Sequence, residues 1–495
     1  MSNDRSPSKY RYFAGNLALF TISNFVSKIL VFLLVPFYTN VLSTTDYGIA
    51  DVMQTTLLLL VPALTINMGE AALRYGIDRS DKRREILKTG LRFVMTACLI
   101  TAAGCALGCI FVRREIRWYL FLFIFLFLTN SLYEFLILFF QGCERVKTVV
   151  CGSVFSTVIL IISNIVFLLV VKIGLNGYLL SQMLAFAFAS VLMLILGHKA
   201  MPDVVTLKKD GLPGTGDEGS IEKELISYGV PMIAYSTGSW INNAADRYLV
   251  SFIKGVAVNG IYGVAYKIPA ILTVFQRIFA QSWQMSAVKS YKESHGPEEA
   301  AGFFSEMYSF YNAFMAAGCS FLILIVRVLA LLMFKKDFHE AWRFVPPLLI
   351  SVVFGALTGF LGSICLAYKD SKAMGFATGI GASVNIVLNL MLIPAYGAMG
   401  AAVATAVSYY LMFFIAYIKV SGHVKLNVRL IRDHIVYILL ILEAVIMICG
   451  EGTGASLRSI YMITAGILIL ILIIYRNEEK RILTGLTATF RKGRE

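Results

Sequence analysis

Apolar runs of about 17 to 25 residues recur from Phe13 to Tyr475 in this chain, each long enough to cross a roughly 30 Å hydrocarbon core at 1.5 Å per residue. Only 15% of the residues are charged, against about 25% in a soluble globular protein. The pattern predicts an all-α, polytopic membrane protein of about 14 transmembrane helices, with little chain left outside the bilayer. The spans fall near 13–37, 48–69, 90–112, 118–141, 150–171, 177–197, 228–253, 259–288, 307–334, 344–367, 373–393, 399–419, 434–449 and 459–475. The eighth is long and polar along one stripe, and the thirteenth is short and carries Glu443. The first span is too long for a cleavable signal peptide and has no small-residue cleavage site behind it.

The formal net charge of +14 suggests nucleic acid until its placement is read. Counted from a cytoplasmic start, the even-numbered connections hold Arg74, Arg79, Lys82, Arg83, Arg84 and Lys88, then Arg145 and Lys147, then Lys199, Lys208, Lys209 and Lys223. Later ones hold Lys289, Lys292, Lys369, Lys372, Lys425, Arg429 and Arg432, and both termini are basic. The opposite side has few cations, chiefly the clusters Arg113–Arg117 and Lys335–Arg343, which run against the trend. The positive-inside rule then predicts a multi-pass protein of the cytoplasmic (plasma) membrane with both termini in the cytoplasm and no nucleic-acid partner. The eight cysteines sit in or beside apolar spans, without a CxxC pair, and the five histidines are scattered. No metal site, disulfide framework or cofactor is expected from them.

The longest interruption is 198–227, read as a cytoplasmic linker between an N-terminal lobe at 1–197 and a C-terminal lobe at 228–420. Residues 421–495 hold two additional spans and a tail. The linker contains Gly214-x-Gly216-x-x-Gly219, but a dinucleotide fingerprint needs a strand before it and a helix after it, so the match is chance. No GxxxxGK[ST] occurs, which excludes an ATPase built from this chain alone. Tyr47-Gly48-Ile49-Ala50 matches Tyr262-Gly263-Val264-Ala265, and Gly174-Leu175-Asn176-Gly177 matches Gly397-Ala398-Met399-Gly400. The order is kept, and six spans per lobe is even, so the lobes are expected to be a parallel repeat about an axis along the membrane normal.

A charge at mid-membrane costs roughly 2.5–3.5 kcal/mol on insertion scales, so each deep polar residue needs a reason. Thr21, Asn24 and Lys28 share a stripe of the first span. Ser239, Asn243, Asp246 and Arg247 share one side of the seventh, with Asn242 beside them, and the repeat sets the two stripes in equivalent places. Lys267, Arg277, Gln281 and Gln284 form the polar face of the eighth, while Glu70, Arg74 and Glu134 sit on the second and fourth. The bland readings are snorkelling for Asp246, Arg247 and Lys267, an i, i+4 pair for Glu70 and Arg74, and close packing for the GxxxG glycines. Lys28 lies too deep to snorkel. Together the deep residues predict a hydrated, net-positive cavity between the lobes, suited to an anionic solute.

Ser27-Lys28-Ile29-Leu30, Pro36-Phe37-Tyr38-Thr39 and Asp46-Tyr47-Gly48 resemble the opening of polysaccharide-transporter (Wzx-type) flippases, which share the MOP superfamily with MATE drug exporters and MurJ-type lipid II flippases. Asn243 through Arg247, Gly260-Ile261-Tyr262 and Ala265-Tyr266-Lys267 look like the matching start of the second half. The resemblance implies lobes that open alternately to each side and a substrate made of an oligosaccharide on a polyprenyl diphosphate, exported for cell-surface polysaccharide. It implies substrate contacts from Lys28, Asn24, Asn243, Asp246, Arg247, Lys267 and Arg277, and coupling or gating by Glu70, Arg74 and Glu134. The implied partners are membrane lipids, an H+ or Na+ gradient, a glycan polymerase and glycosyltransferases. The physics agrees: each unpaired hydroxyl moved into hydrocarbon costs about 4–8 kcal/mol, and a hydrated path removes that barrier while the lipid tail stays in the bilayer. A MATE-like multidrug/ion antiporter is the nearest alternative. A membrane-embedded glycan polymerase or acyltransferase is another, although it should show a large outer loop or a His/Asp/Glu cluster.

Overall fold

The computed structural model describes residue 32 and residues 34–205, 218–293, 297–368 and 370–476, and among these there is no strand. The helices in chain order are α1 Val35–Val41, α2 Thr44–Leu64, α3 Met68–Asp78, α4 Arg83–Phe111, α5 Arg114–Gly142, α6 Val146–Asn164, α7 Gly174–Ala200 and the short α8 Pro202–Val205. Then follow α9 Glu218–Lys254, α10 Val256–Ala265, α11 Pro269–Glu293, α12 Pro297–Leu324, α13 Val326–Met333, α14 Val345–Ala367, α15 Ser371–Ser421, α16 Leu430–Cys449 and α17 Leu457–Ile474. Nine stretches among the described residues are long and apolar enough to cross a membrane, and α10 with the start of α11, bent by 51°, makes a tenth. Most of the first expected span lies outside the described residues. The eleventh and twelfth are both contained in α15, which is kinked at Gly397 (φ 60, ψ −139), a conformation glycine adopts without strain. Large apolar side chains such as Phe111 (87%) and Phe252 (91%) face outward, as expected of a surface in contact with lipid.

The chain divides into two compact units, Met1–Trp240 and Ile241–Glu495. In the first, α2 starts with a reciprocal cap: the Asp46 amide donates to Ser43 Oγ (3.1 Å), and the Ser43 amide donates to Asp46 Oδ2 (3.3 Å). The second span expected from the sequence is broken, because Pro62 weakens the end of α2 and Ile66 (φ 54) and Asn67 (φ 49) turn left-handed. Met68, Ala71, Leu136, Phe139, Phe140 and Met193 then close a core to which α9 adds Ile221 and Leu225. Residues 218–227, the end of the expected linker, are therefore helical and packed into this unit; 206–217 lie outside the described residues. The sequence hid this because Glu218, Glu222, Lys223 and Glu224 mask the i, i+4 pair of Ile221 and Leu225. Two of those charges are tethers, with Arg79 to Glu224 at 3.0 Å and Arg92 to Glu222 at 2.5 Å.

Close helix approach in this unit depends on glycine. A Cβ on Gly142 would lie 2.7 Å from the Leu73 carbonyl oxygen, and one on Gly76 would lie 3.1 Å from the Gly142 carbonyl carbon, so α3 and α5 meet backbone to backbone. In the second unit, α14 packs on α15 and α11, and α16 and α17 pack on α12. Aromatic stacking ties α11, α12 and α14 together: Phe279 lies 3.9 Å from Tyr311, and Trp283 lies 4.2 Å from Phe360 between ring centroids.

Between α14 and α15, Asp370 accepts from the Ala373 amide (3.0 Å) and from the His423 ring (2.8 Å). The His423 hydrogen bond, with the Ala373 amide, holds its carboxyl below the usual carboxylate range.

Two outcomes follow from this packing. Gly142→Ala should destabilise the purified protein by about 1–3 kcal/mol, read as a lowered unfolding midpoint. Gly466→Ala, where a Cβ meets nothing within 4 Å, should be neutral or stabilising; equal midpoints for the two would refute the close contact. Because the Asp370 carboxyl is depressed in the folded state, its contribution is complete at neutral pH and fades as pH falls below about 4 toward the lowered value. Asp370→Asn should flatten that acid limb of the midpoint-versus-pH curve, and an unchanged limb would show the pair contributes nothing.

Candidate functional site

In the second unit the seventh expected span places Asn242, Asn243, Asp246 and Arg247 on α9 against α10 and α15. Asp246, 2% exposed, is the centre of a polar knot. Its Oδ2 accepts from the hydroxyls of Tyr262 (2.6 Å), Tyr266 (2.6 Å) and Thr405 (3.3 Å), and its Oδ1 accepts from the Arg247 amide (2.9 Å). The Arg247 guanidinium lies 4.3 Å from the Tyr266 ring centroid, so charge and π-face meet beside the carboxylate. Behind Thr405, Asn385 donates toward its hydroxyl (3.5 Å) and Asn389 donates to Asn385 (2.9 Å). A charge-assisted hydrogen bond contributes about 1.5–3 kcal/mol, and several of them satisfy a carboxylate that hydrocarbon would otherwise reject. Asp246 does not snorkel.

The other expected site residues of this unit divide by exposure. Asn243 is exposed and accepts from the Tyr409 hydroxyl at 2.6 Å. Lys267 is half-buried in the break between α10 and α11, where Tyr266, Lys267 and Ile268 leave the helix, and Arg277 is exposed on α11. Neither cationic head group has a hydrogen-bond or ion-pair partner among the described residues. Lys28 and Asn24 lie outside the described residues, as do the side chains of Gln281 and Gln284.

In the first unit Glu70 is half-buried on α3 and Glu134 exposed on α5. They are close enough for their charges to repel. Arg74, expected beside Glu70, instead pairs with Asp78 at 3.2 Å. At the break before α3, Asn67 donates to Ser236 of α9 (3.2 Å), and midway along α2 the Trp240 indole donates to the Thr55 carbonyl (2.8 Å). Gly229 lets α9 approach, since a Cβ there would lie 2.0 Å from the Ile66 carbonyl oxygen. Gln54 and Gln182 are hydrogen-bonded to each other.

Sequence reasoning missed Tyr262 and Tyr266 as Asp246 partners, using them only as repeat markers. It also missed Thr405, Asn385 and Asn389. The last two form an i, i+4 pair in an apolar helix, a legible signal that a buried polar side has something to face.

Tyr262→Phe should destabilise the protein by about 1–3 kcal/mol, because it removes a donor from a buried carboxylate. Thr405→Val, at a longer contact, should cost less. Thermal unfolding of the two variants checks the order, and a neutral Tyr262→Phe would remove the knot from the stability of this unit.

A family model described as polysaccharide biosynthesis protein matches residues 13–284. An uncharacterized membrane protein of Methanocaldococcus jannaschii is 23% identical over 266 residues, 52% of this chain and 62% of that protein, so the chain spans less than two thirds of that relative's length. Among solved structures, a lipid II flippase MurJ in an inward closed conformation aligns with TM-score 0.65 at 16% identity, covering 94% of this chain and all of that one. An inward-facing multidrug resistance MATE family transporter of the MOP superfamily aligns with TM-score 0.62 at 12% identity, covering 80% and 95%. A MOP superfamily transporter from Pyrococcus furiosus, titled for the reversed polarity of its binding pocket, aligns at 0.51 and 13%, covering 82% and 93%. At these identities the likeness is one of fold.

Proposed function

We propose that this chain, which belongs to the polysaccharide biosynthesis protein family and has the fold of MOP superfamily transporters, flips a polyprenyl-diphosphate-linked oligosaccharide across the cytoplasmic membrane. In this reading both termini are cytoplasmic, the halves 1–197 and 228–420 are a parallel repeat, and 421–495 adds two spans. The observation that carries the choice of an anionic, lipid-linked substrate is the pair of cations Lys267 and Arg277, unpartnered among the described residues and within the stretch that matches the family. A diphosphate is the natural ligand for an ammonium and a guanidinium left without an internal partner among the described residues. Lys28, Asn24, Asn243 and Arg247 complete the proposed substrate contacts. Asp246, acceptor of several internal hydrogen bonds, acts by positioning Arg247 and Tyr266.

With no nucleotide-binding motif in the sequence, transport draws on an H+ or Na+ gradient or on consumption of the product by glycan polymerase. Glu70 and Glu134 are the proposed coupling pair. A carboxylate beside another of the same charge takes up a first cation more readily than it would alone, with Arg74 at the gate. The second reading, a multidrug/ion antiporter, draws support from the same carboxylates but gives Lys267 and Arg277 no task.

Deleting the gene should trap a diphosphate-linked glycan in the inner leaflet, read by leaflet-specific glycan labelling and mass spectrometry. Lys28→Ala should abolish export and Lys28→Arg should keep part of it. Lys267→Ala and Arg277→Ala should each lower export roughly tenfold or more, equivalent to about 1.4 kcal/mol or more per lost contact. Full export by all these variants at normal protein levels, or no trapped glycan on deletion, would overturn the reading.

A further inference from the structure

The helix pair appended after the second lobe carries a carboxyl that the transport reading does not use. Glu443, in the middle of α16, is 0% exposed. It belongs to the face Val436, Tyr437, Leu440, Ala444 and Met447, all buried, which packs on α12 and α17. Both of its carboxyl oxygens and the Ser320 hydroxyl of α12 are buried and make no hydrogen bond of close geometry; Ser320 is the one neutral donor near enough to turn toward the carboxyl. Asp433, three turns earlier on the same face, is treated differently. It is tied to Arg432 (3.1 Å) and to the Tyr475 hydroxyl (3.0 Å), with Asn312 and Tyr437 linked behind.

The groups facing Glu443 do not supply a counter-charge. From α12 the titratable neighbour is Cys319, also 0% exposed, while Tyr308 points to Tyr437 near Asp433. Arg327, on α13, donates to the Met447 carbonyl (2.7 Å) and stacks 4.2 Å from the Trp342 ring centroid, and Glu443 makes no ion pair with it among the described residues. The only ionisable side chain of α14 is Cys365. On α17 the charged residue is Arg458, exposed in the first turn, with Tyr461 beyond it. On α16 itself His434 is engaged with Tyr410.

A carboxylate in this setting is strongly disfavoured, and a neutral carboxyl far less so. A metal cation is a poor alternative, because hard cations ask for about six oxygens. The uncommitted side-chain oxygens here are the two of Glu443 and one of Ser320. The buried Thr464 hydroxyl of α17 is already engaged with the Ile460 carbonyl. A proton needs a single acceptor.

We propose that Glu443 is a proton-binding site, taking a proton from water as α16 closes on α12 and returning it when that interface is hydrated. Acidity thereby holds the last two helices in place. The inference needs no substrate and stands whether or not the transported molecule is a glycan.

Native cysteines report it. In the full chain in lipid nanodiscs, a membrane-permeant maleimide labels the exposed Cys151 freely and the buried Cys319 only as the interface opens. The ratio of Cys319 to Cys151 labelling should rise about fivefold or more from acidic to alkaline buffer, the low end of a linkage effect. It should stay constant in Glu443→Gln, a neutral near-isostere that keeps the packing. Infrared difference spectra between the two buffers should show loss of a protonated-carboxyl C=O band that Glu443→Gln lacks. Should Glu443→Gln fail to fold, Glu443→Met supplies the neutral comparison. A labelling ratio that is flat in the native chain or rises equally in the neutral variant, or a carboxyl band that survives the substitution, overturns the proposal.

Discussion

A backbone that leaves its helix inside hydrocarbon frees amide and carbonyl groups that lipid cannot satisfy, at several kcal/mol each. This chain breaks its helices at 65–67 and at 266–268, and kinks one at Gly397. In the first break Asn67, itself left-handed, donates to Ser236. In the second, Tyr266 closes the end of α10 while its hydroxyl serves Asp246. Each break lies beside a polar side chain, Asn67 in the first and Tyr266 in the second, whose partner comes from α9.

That coupling explains what the sequence disclosed and what it concealed. The spans were legible because lipid demands length and apolarity, two one-dimensional properties. The polar stripe Ser239, Asn243, Asp246 and Arg247 was legible for the converse reason, that charges on an apolar helix stand out. Partner identity was not. Asp246 is served from α10 and α15, as far as 159 positions along the chain at Thr405, and no helical period encodes such a pairing. Arg74 illustrates the error at short range: Glu70 and Asp78 both lie four residues away, and the structure selects Asp78. Residues 218–227 illustrate the opposite error, a charged surface read as linker although its Ile221 and Leu225 enter a core.

Comparison of the buried acids separates roles that composition lumps together. Asp246 receives hydrogen bonds from Tyr262, Tyr266, Thr405 and the Arg247 amide, an arrangement that holds the carboxyl group in one place. Asp433 has an adjacent arginine and a tyrosine, so it too is anchored, joining α16 to α12 through Asn312 and Tyr437. Glu443 has neither. Three carboxyls of similar chemistry are thus graded from fully served to unserved.

The grading has an energetic consequence for movement. A carboxylate with many donors resists relocation, since each donor left behind is itself a buried polar group in want of a partner. In the proposed alternating transport, each half needs some contacts of this kind to move as a body, and others that can be exchanged with water. The Asp246 knot lies wholly inside the second unit and fits the first requirement. The head groups of Lys267 and Arg277, and the Glu70–Glu134 repulsion, carry no such internal commitment among the described residues. They are groups that can respond when water, an anion or a cation arrives, and a ligand moves an equilibrium only through groups that respond to it differently in the two states.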